Sequence, residues 1–293
     1  MAAIQTKMYQ RYEVVEISNE EISLLATVSS GPRILSCSAY GSENLFAELP
    51  GVELTYPGEE NLKLVGGHRL WYAPEKPEVT YVPDSLPVEW KEINGGIVLI
   101  QRVDEPTGIQ KSISVQIAEY GAKVTVTHVL TNTGKKPFLL APWAITQLRT
   151  GGKAVIPQRT GPSDAYGLLP NRNIVLWTYT DVSSDLLEIR NEGLYVHAKI
   201  EEGALKVGIP NPIGWIAYQL DGLLFVKRTE YIEGGDYLDE GASSQVYTNQ
   251  QFIELETLGP VLELSGGESV SHVEEWEVYQ AGNWPAEIRK YYE

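Results

Sequence analysis

KSISVQIAEYGAKVTVTHVLTN, residues 111–132, decides the fold class. Ile113, Val115 and Ile117 alternate with polar residues. After the Tyr120-Gly121 step, Val124, Val126, His128 and Leu130 share one face of an extended chain, and Thr125, Thr127, Val129 and Thr131 share the other. A period of two marks a half-buried strand, and two such runs around a glycine turn read as a β-hairpin. Strand-like runs recur at 12–17, 22–28, 33–37, 97–102, 194–200, 214–219, 223–229, 246–257 and 270–279, with Gly and Pro between them. Helical periodicity is confined to 285–292, where Pro285 suits a first turn. The expectation is an all-β sandwich forming one domain over 1–293. The stretch 151–192, polar and irregular, reads as a long excursion over one end of that sandwich.

Composition excludes several functions. The 293 residues carry 23 Lys+Arg against 39 Asp+Glu, a net charge of −16. Nucleic acids and anionic membranes are gripped by clustered basic residues, so neither is an expected partner. The single cysteine, Cys37, allows neither an internal disulfide nor a cysteine metal site. The N-terminus lacks the apolar run of a signal peptide, and no stretch approaches the roughly 18 apolar residues of a membrane helix; a cytoplasmic location is the expectation. There is no phosphate-binding glycine loop, nucleophile elbow or dinucleotide fingerprint. No cofactor and no metal are expected. Oligomeric state is not legible.

Four segments could carry chemistry. GGHRLWYAPE (66–75) joins two glycines to His68, Arg69, Trp71, Tyr72 and Glu75. Charged groups that grip hydroxyls and rings that stack on C–H faces are what a sugar needs; the plainer alternative is a turn with Trp71 in the core and Arg69 paired to a carboxylate. In FIELETLGP (252–260), Glu254 and Glu256 fall on one side of a strand, their Cα atoms about 7 Å apart at the usual rise. They suit general-base work or hydroxyl binding, or simply a solvated face. In PFLLAPWAITQL (137–148), Trp143 reads equally as a stacking platform or as core. In VKRTEYIEGGDYLDEG (226–241), Asp236 and Asp239 could meet a hard cation, although a charged turn accounts for them. His128, among Val124, Val126 and Leu130, reads as a satisfied core histidine; His197 and His272 have no partner visible in the sequence.

Taken in order, ISLLATVSSGPRILSCSAYGSENLF (22–46), GGHRLWYAPE and FIELETLGPVLELSGGESVSHVEEWEVY (252–279) resemble the galactose mutarotase-like superfamily, and within it an uncharacterised branch often labelled DUF4380. The resemblance implies a supersandwich of twisted antiparallel sheets with a sugar site on a concave face. It implies Glu256 as the base that takes the anomeric proton, and Arg69 as a hydroxyl ligand. It also implies a catalytic histidine where Trp143 stands, and an indole N–H can only donate. His68 or a tyrosine is then the candidate acid. Three functions follow: an aldose 1-epimerase-like isomerase with Glu256 and His68 catalytic and Arg69, Trp71, Glu75, Trp143 and Glu254 binding a carbohydrate ligand; a carbohydrate-binding protein without catalysis; or a plain structural sandwich.

Overall fold

The computed structural model describes residues 2–292. Among them, twelve strands form one antiparallel sheet and ten form a second. The hairpin predicted within 111–132 pairs Ile109–Ile117 with Lys123–Asn132 in the second sheet. Val124, Val126, His128 and Leu130 are buried there, while Thr125, Thr127, Val129 and Thr131 are not. That alternation turns one face inward and leaves the other to polar residues.

The centre of the twelve-stranded sheet brings distant parts of the chain together. Its strands run in the order Arg33–Ala39, Leu62–Ala73, Phe138–Leu148, Ile253–Leu258, Ser244–Thr248, Leu205–Ile209. Segments from both halves of the chain thus lie side by side, joined by backbone ladders. The inner face packs on the ten-stranded sheet across an apolar core. Phe46, Phe225 and Trp276 meet there edge to face, with centroids 5.6–6.0 Å apart, an arrangement that aromatic quadrupoles favour. The outer face carries a second apolar cluster, including Trp71, Trp143, Ile145 and Leu258.

The two glycines of 66–75 have a structural cause. Val65, Gly66 and Gly67 all have positive φ, at 60°, 99° and 77°, where glycine is tolerated and branched residues are strained. A Cβ on Gly66 would lie 1.9 Å from the Ala47 carbonyl oxygen, and one on Gly67 would lie 2.1 Å from that of Ile34. The close approach is therefore to neighbouring backbone.

Three expectations need amendment. Residues 151–192 are not wholly an excursion: Lys153–Pro157 is an interior strand between Gly193–His197 and Trp215–Leu220. Its apolar Ala154, Val155 and Ile156 are buried, and the polar residues around them hide that short run. The helix expected at 285–292 is a single turn, Ala286–Arg289, with Pro285 as the residue before it. Segment 66–75 belongs mostly to a twelve-residue strand. No helix among the described residues is long and apolar enough to cross a membrane.

Candidate functional site

Strand register assembles the site. Arg69 lies opposite Ile145, Ile145 opposite Glu256, and Glu256 opposite Gln245. Directly paired residues point to the same side, so these four form one row across four strands. The parallel row Gly67, Gln147, Glu254 and Tyr247 lies on the same face, as does the row Trp71, Trp143 and Leu258. Lys206, opposite Tyr247, adds a cation.

The contacts are close. Trp71 and Trp143 meet edge to face at 5.4 Å. The Trp143 indole Nε1 donates to Glu256 Oε2 at 2.8 Å, and Lys206 Nζ donates to the same oxygen at 2.9 Å. Lys206 lies between two indoles, 5.0 Å from the Trp143 ring centre and 4.7 Å from that of Trp177; each such contact is worth about 0.5–2 kcal/mol depending on desolvation. Gln147 Nε2 donates to Glu254 Oε1 at 2.8 Å, and Gln147 Oε1 accepts from Arg69 at 3.2 Å. The Arg69 guanidinium stands 5.3 Å over Trp71. Tyr81 packs on Trp71 at 5.5 Å and donates its hydroxyl to Glu75.

The irregular stretch covers part of this face. Thr180 Oγ1 donates to the Lys206 carbonyl at 2.6 Å and accepts the Lys206 N–H at 2.9 Å. This two-way clasp holds Trp177 and Tyr179 beside the site. Tyr179, half exposed, and the exposed Glu75 mark its open side. A hollow of about 630 Å³ elsewhere, lined by Arg228, His272 and Glu275, contains none of these residues.

Burial sets the electrostatics. It raises the Glu256 carboxyl above its ordinary range, with Lys206 and Trp143 opposing. Burial and the neighbouring Glu256 push Glu254 up to about 8. The Lys206 ammonium holds its proton more tightly than a free lysine: burial works against it, but Glu256, Glu254 and Glu75 outweigh burial. Burial, with Arg33 close by, takes Arg69 down to about 9, still charged at neutral pH. Tyr179, Tyr247 and Tyr81 are all raised, chiefly by burial.

Of the residues singled out in the sequence, Arg69, Trp71, Glu75, Trp143, Glu254 and Glu256 converge on this face. His68 does not. Its neighbours Arg69 and Gly67 face outward, so His68 faces the inter-sheet core, fully buried. There Nδ1 meets Thr146 Oγ1 at 2.9 Å, and Nε2 meets His128 Nε2 at 2.7 Å. His128 Nδ1 contacts the His272 carbonyl at 2.8 Å and must donate to it. His128 Nε2 therefore accepts, and the one proton of neutral His68 is committed to it. Burial and the surrounding cations drive His68 well below its usual range. The one-residue offset from Arg69 removes it as the acid.

The same inner cluster holds Lys227, whose ammonium reaches Glu274 at 2.9 Å, Thr146 Oγ1 at 3.0 Å and the Leu255 carbonyl at 2.9 Å. Ligand atoms of His68, His128 and Glu274 lie within 4.8 Å of one another. Two nitrogens on one zinc at 2.0–2.1 Å would stand about 3.3 Å apart, whereas these are at 2.7 Å. The cluster suits a shared proton and the Lys227 cation, not zinc. Asp239, considered for a cation, instead accepts from Gln245 Nε2 at 2.8 Å. Among the described residues His197 pairs with Glu188, in the second sheet and away from this face.

Sequence reading missed Lys206, Gln245, Tyr247, Trp177 and Tyr179. A lone lysine inside the apolar run Leu205–Ile209 was a usable signal; the others had none, because their neighbours are assigned by register.

Neither a family model nor a curated protein matches the chain. Solved structures do. A galactose mutarotase-like protein from Lactobacillus casei superposes with a TM-score of 0.58 at 9% identity, over 91% of this chain and 100% of that one. A galactose mutarotase related enzyme from Lactobacillus acidophilus gives 0.54 at 9% identity, over 92% and 98%. A TPR-domain containing protein from Parabacteroides distasonis gives 0.63 at 12% identity, over 94% of this chain but only 49% of that one. At these identities the shared property is the fold, which is the galactose mutarotase-like sandwich.

Proposed function

We propose that this chain binds a carbohydrate on the outer face of the twelve-stranded sheet, with Glu256 as the base that accepts a hydroxyl proton. One observation carries the reading. Arg69 Nε and Nη1, Glu256 Oε1 and Gln245 Oε1 are buried and make no hydrogen bond within the protein, and all three residues belong to one cross-strand row flanked by indoles. A buried polar atom without a partner costs about 1–3 kcal/mol. A sugar supplies hydroxyls that donate and accept, plus a C–H face for Trp71, Trp143 or Trp177. Glu75 and Glu254 extend the polar rim.

A second reading, binding without turnover, has its own support: among the described residues no histidine faces this site. Tryptophan fluorescence titrations with neutral aldoses test binding first. Trp71→Ala should abolish it, and unchanged affinity in that variant would refute the site. Anomer exchange of a bound aldose then separates the two readings. Under the isomerase reading Glu256→Gln should lower the rate about 10²–10⁴-fold while sugar still binds; under the second no acceleration is seen at all.

A further inference from the structure

We propose that Glu254 is the proton donor that works opposite Glu256, filling the role for which this face offers no histidine. The inference rests on the carbohydrate reading above. Its first support is geometric. Glu254 and Glu256 are two residues apart on one strand, side chains to the same side, with Cα atoms about 7 Å apart. Their partners differ in kind. Glu256 Oε2 accepts from an ammonium and an indole, donors that favour the ionised form. Glu254 Oε1 accepts a single neutral amide N–H from Gln147, itself oriented by Arg69. Glu256 is fully buried, whereas Glu254 is only partly buried.

The remaining candidates are weaker acids. Lys206 is committed to Glu256, and its proton is held more tightly than in a free lysine. Tyr81, Tyr179 and Tyr247 are shifted further from neutrality. Glu254, pushed up to about 8, carries a releasable proton at neutral pH. Burial raises both carboxyls, but Glu256 accepts from a cation and Glu254 from a neutral amide, and a pair whose surroundings differ in this way suits an acid and a base.

The step balances. Glu256 takes the anomeric hydroxyl proton as the C1 carbonyl forms and the bond from C1 to the ring oxygen breaks. Glu254 gives its proton to that ring oxygen. Rotation about the C1–C2 bond and reclosure reverse both transfers, so the protein ends unchanged.

Glu254→Gln keeps an acceptor oxygen for Gln147 and removes the proton. With D-galactose, D-glucose and other aldoses as probes, anomer exchange in the variant should fall about 10²–10⁴-fold, while fluorescence titration still detects the bound sugar. The wild-type rate should decline as pH rises through about 8. A sugar exchanged as fast by the variant as by the wild type would overturn the proposal. A second measurement needs no sugar: in carboxyl-¹³C-labelled protein, the resonance missing from the variant should titrate far above the ordinary glutamate value of about 4.3. Titration near 4.3 also overturns the proposal. If that resonance titrates high but no aldose binds, the carbohydrate reading fails and the donor role falls with it.

Discussion

Two glutamates in this molecule meet similar partners with different consequences. Glu274, in the inter-sheet core, accepts from Trp276 Nε1 at 2.8 Å and pairs with Lys227 at 2.9 Å. Thr257 and nearby imidazoles also face it, and its carboxyl is held below the usual range. Glu256, on the outer face, accepts from Trp143 and Lys206 but keeps one oxygen unpartnered, and its carboxyl is raised. The difference is full satisfaction against partial satisfaction of a buried charge. At Glu254 the raised carboxyl has a consequence for stability. A carboxyl held protonated in the folded state and released in the unfolded chain lowers stability as pH rises between the two values. Replacing it with glutamine removes that slope. Thermal melts of Glu254→Gln and wild type should therefore diverge in the variant's favour between about pH 4.3 and about pH 8. Parallel melting curves across that window would show that Glu254 is not raised.

The strand Leu62–Ala73 joins the site to the fold. Its outer face presents Arg69 and Trp71; its inner face presents His68 and Tyr72 to the core. Three left-handed residues, Val65, Gly66 and Gly67, lie in its first half, before those side chains. Gly66→Ala would force a Cβ to 1.9 Å from the Ala47 carbonyl, in a conformation that itself costs an L-residue about 1–2 kcal/mol. Urea unfolding should show a loss of at least about 2 kcal/mol, and an unchanged midpoint would mean this backbone is free to shift. Neither the strand nor its phase was readable from the sequence, because burial on both faces leaves residues 66–73 without polar alternation. Local alternation places His68 and Arg69 on opposite faces without saying which face holds the site.

On the scale of the whole molecule, the polar cluster behind the site ties the sheets together. Lys227 comes from the ten-stranded sheet, yet it bonds the Ala144 and Leu255 carbonyls of the twelve-stranded one. Those two strands carry Trp143, Glu254 and Glu256 on their outer faces. Removing one member of a buried pair leaves an uncompensated charge, at about 3–5 kcal/mol, whereas replacing both by apolar groups can be neutral. Lys227→Met should lose that amount in chemical denaturation, and Lys227→Met with Glu274→Leu should recover most of it. Equal losses in the single and double variants would assign the effect to packing, not charge.

The sequence by itself determined the all-β architecture, because strand alternation and glycine or proline turns are local signals with a period readable from neighbours. It also offered the residue types that could handle a sugar, since Arg69, Trp71, Trp143, Glu254 and Glu256 stand in three short segments. The tertiary structure alone decided that those segments share a face, that His68 is turned from them, and that Lys206 and Trp177 join them. Antiparallel register links residues far apart along the chain, and the direction in which a side chain finally points is set by which sheet covers its strand.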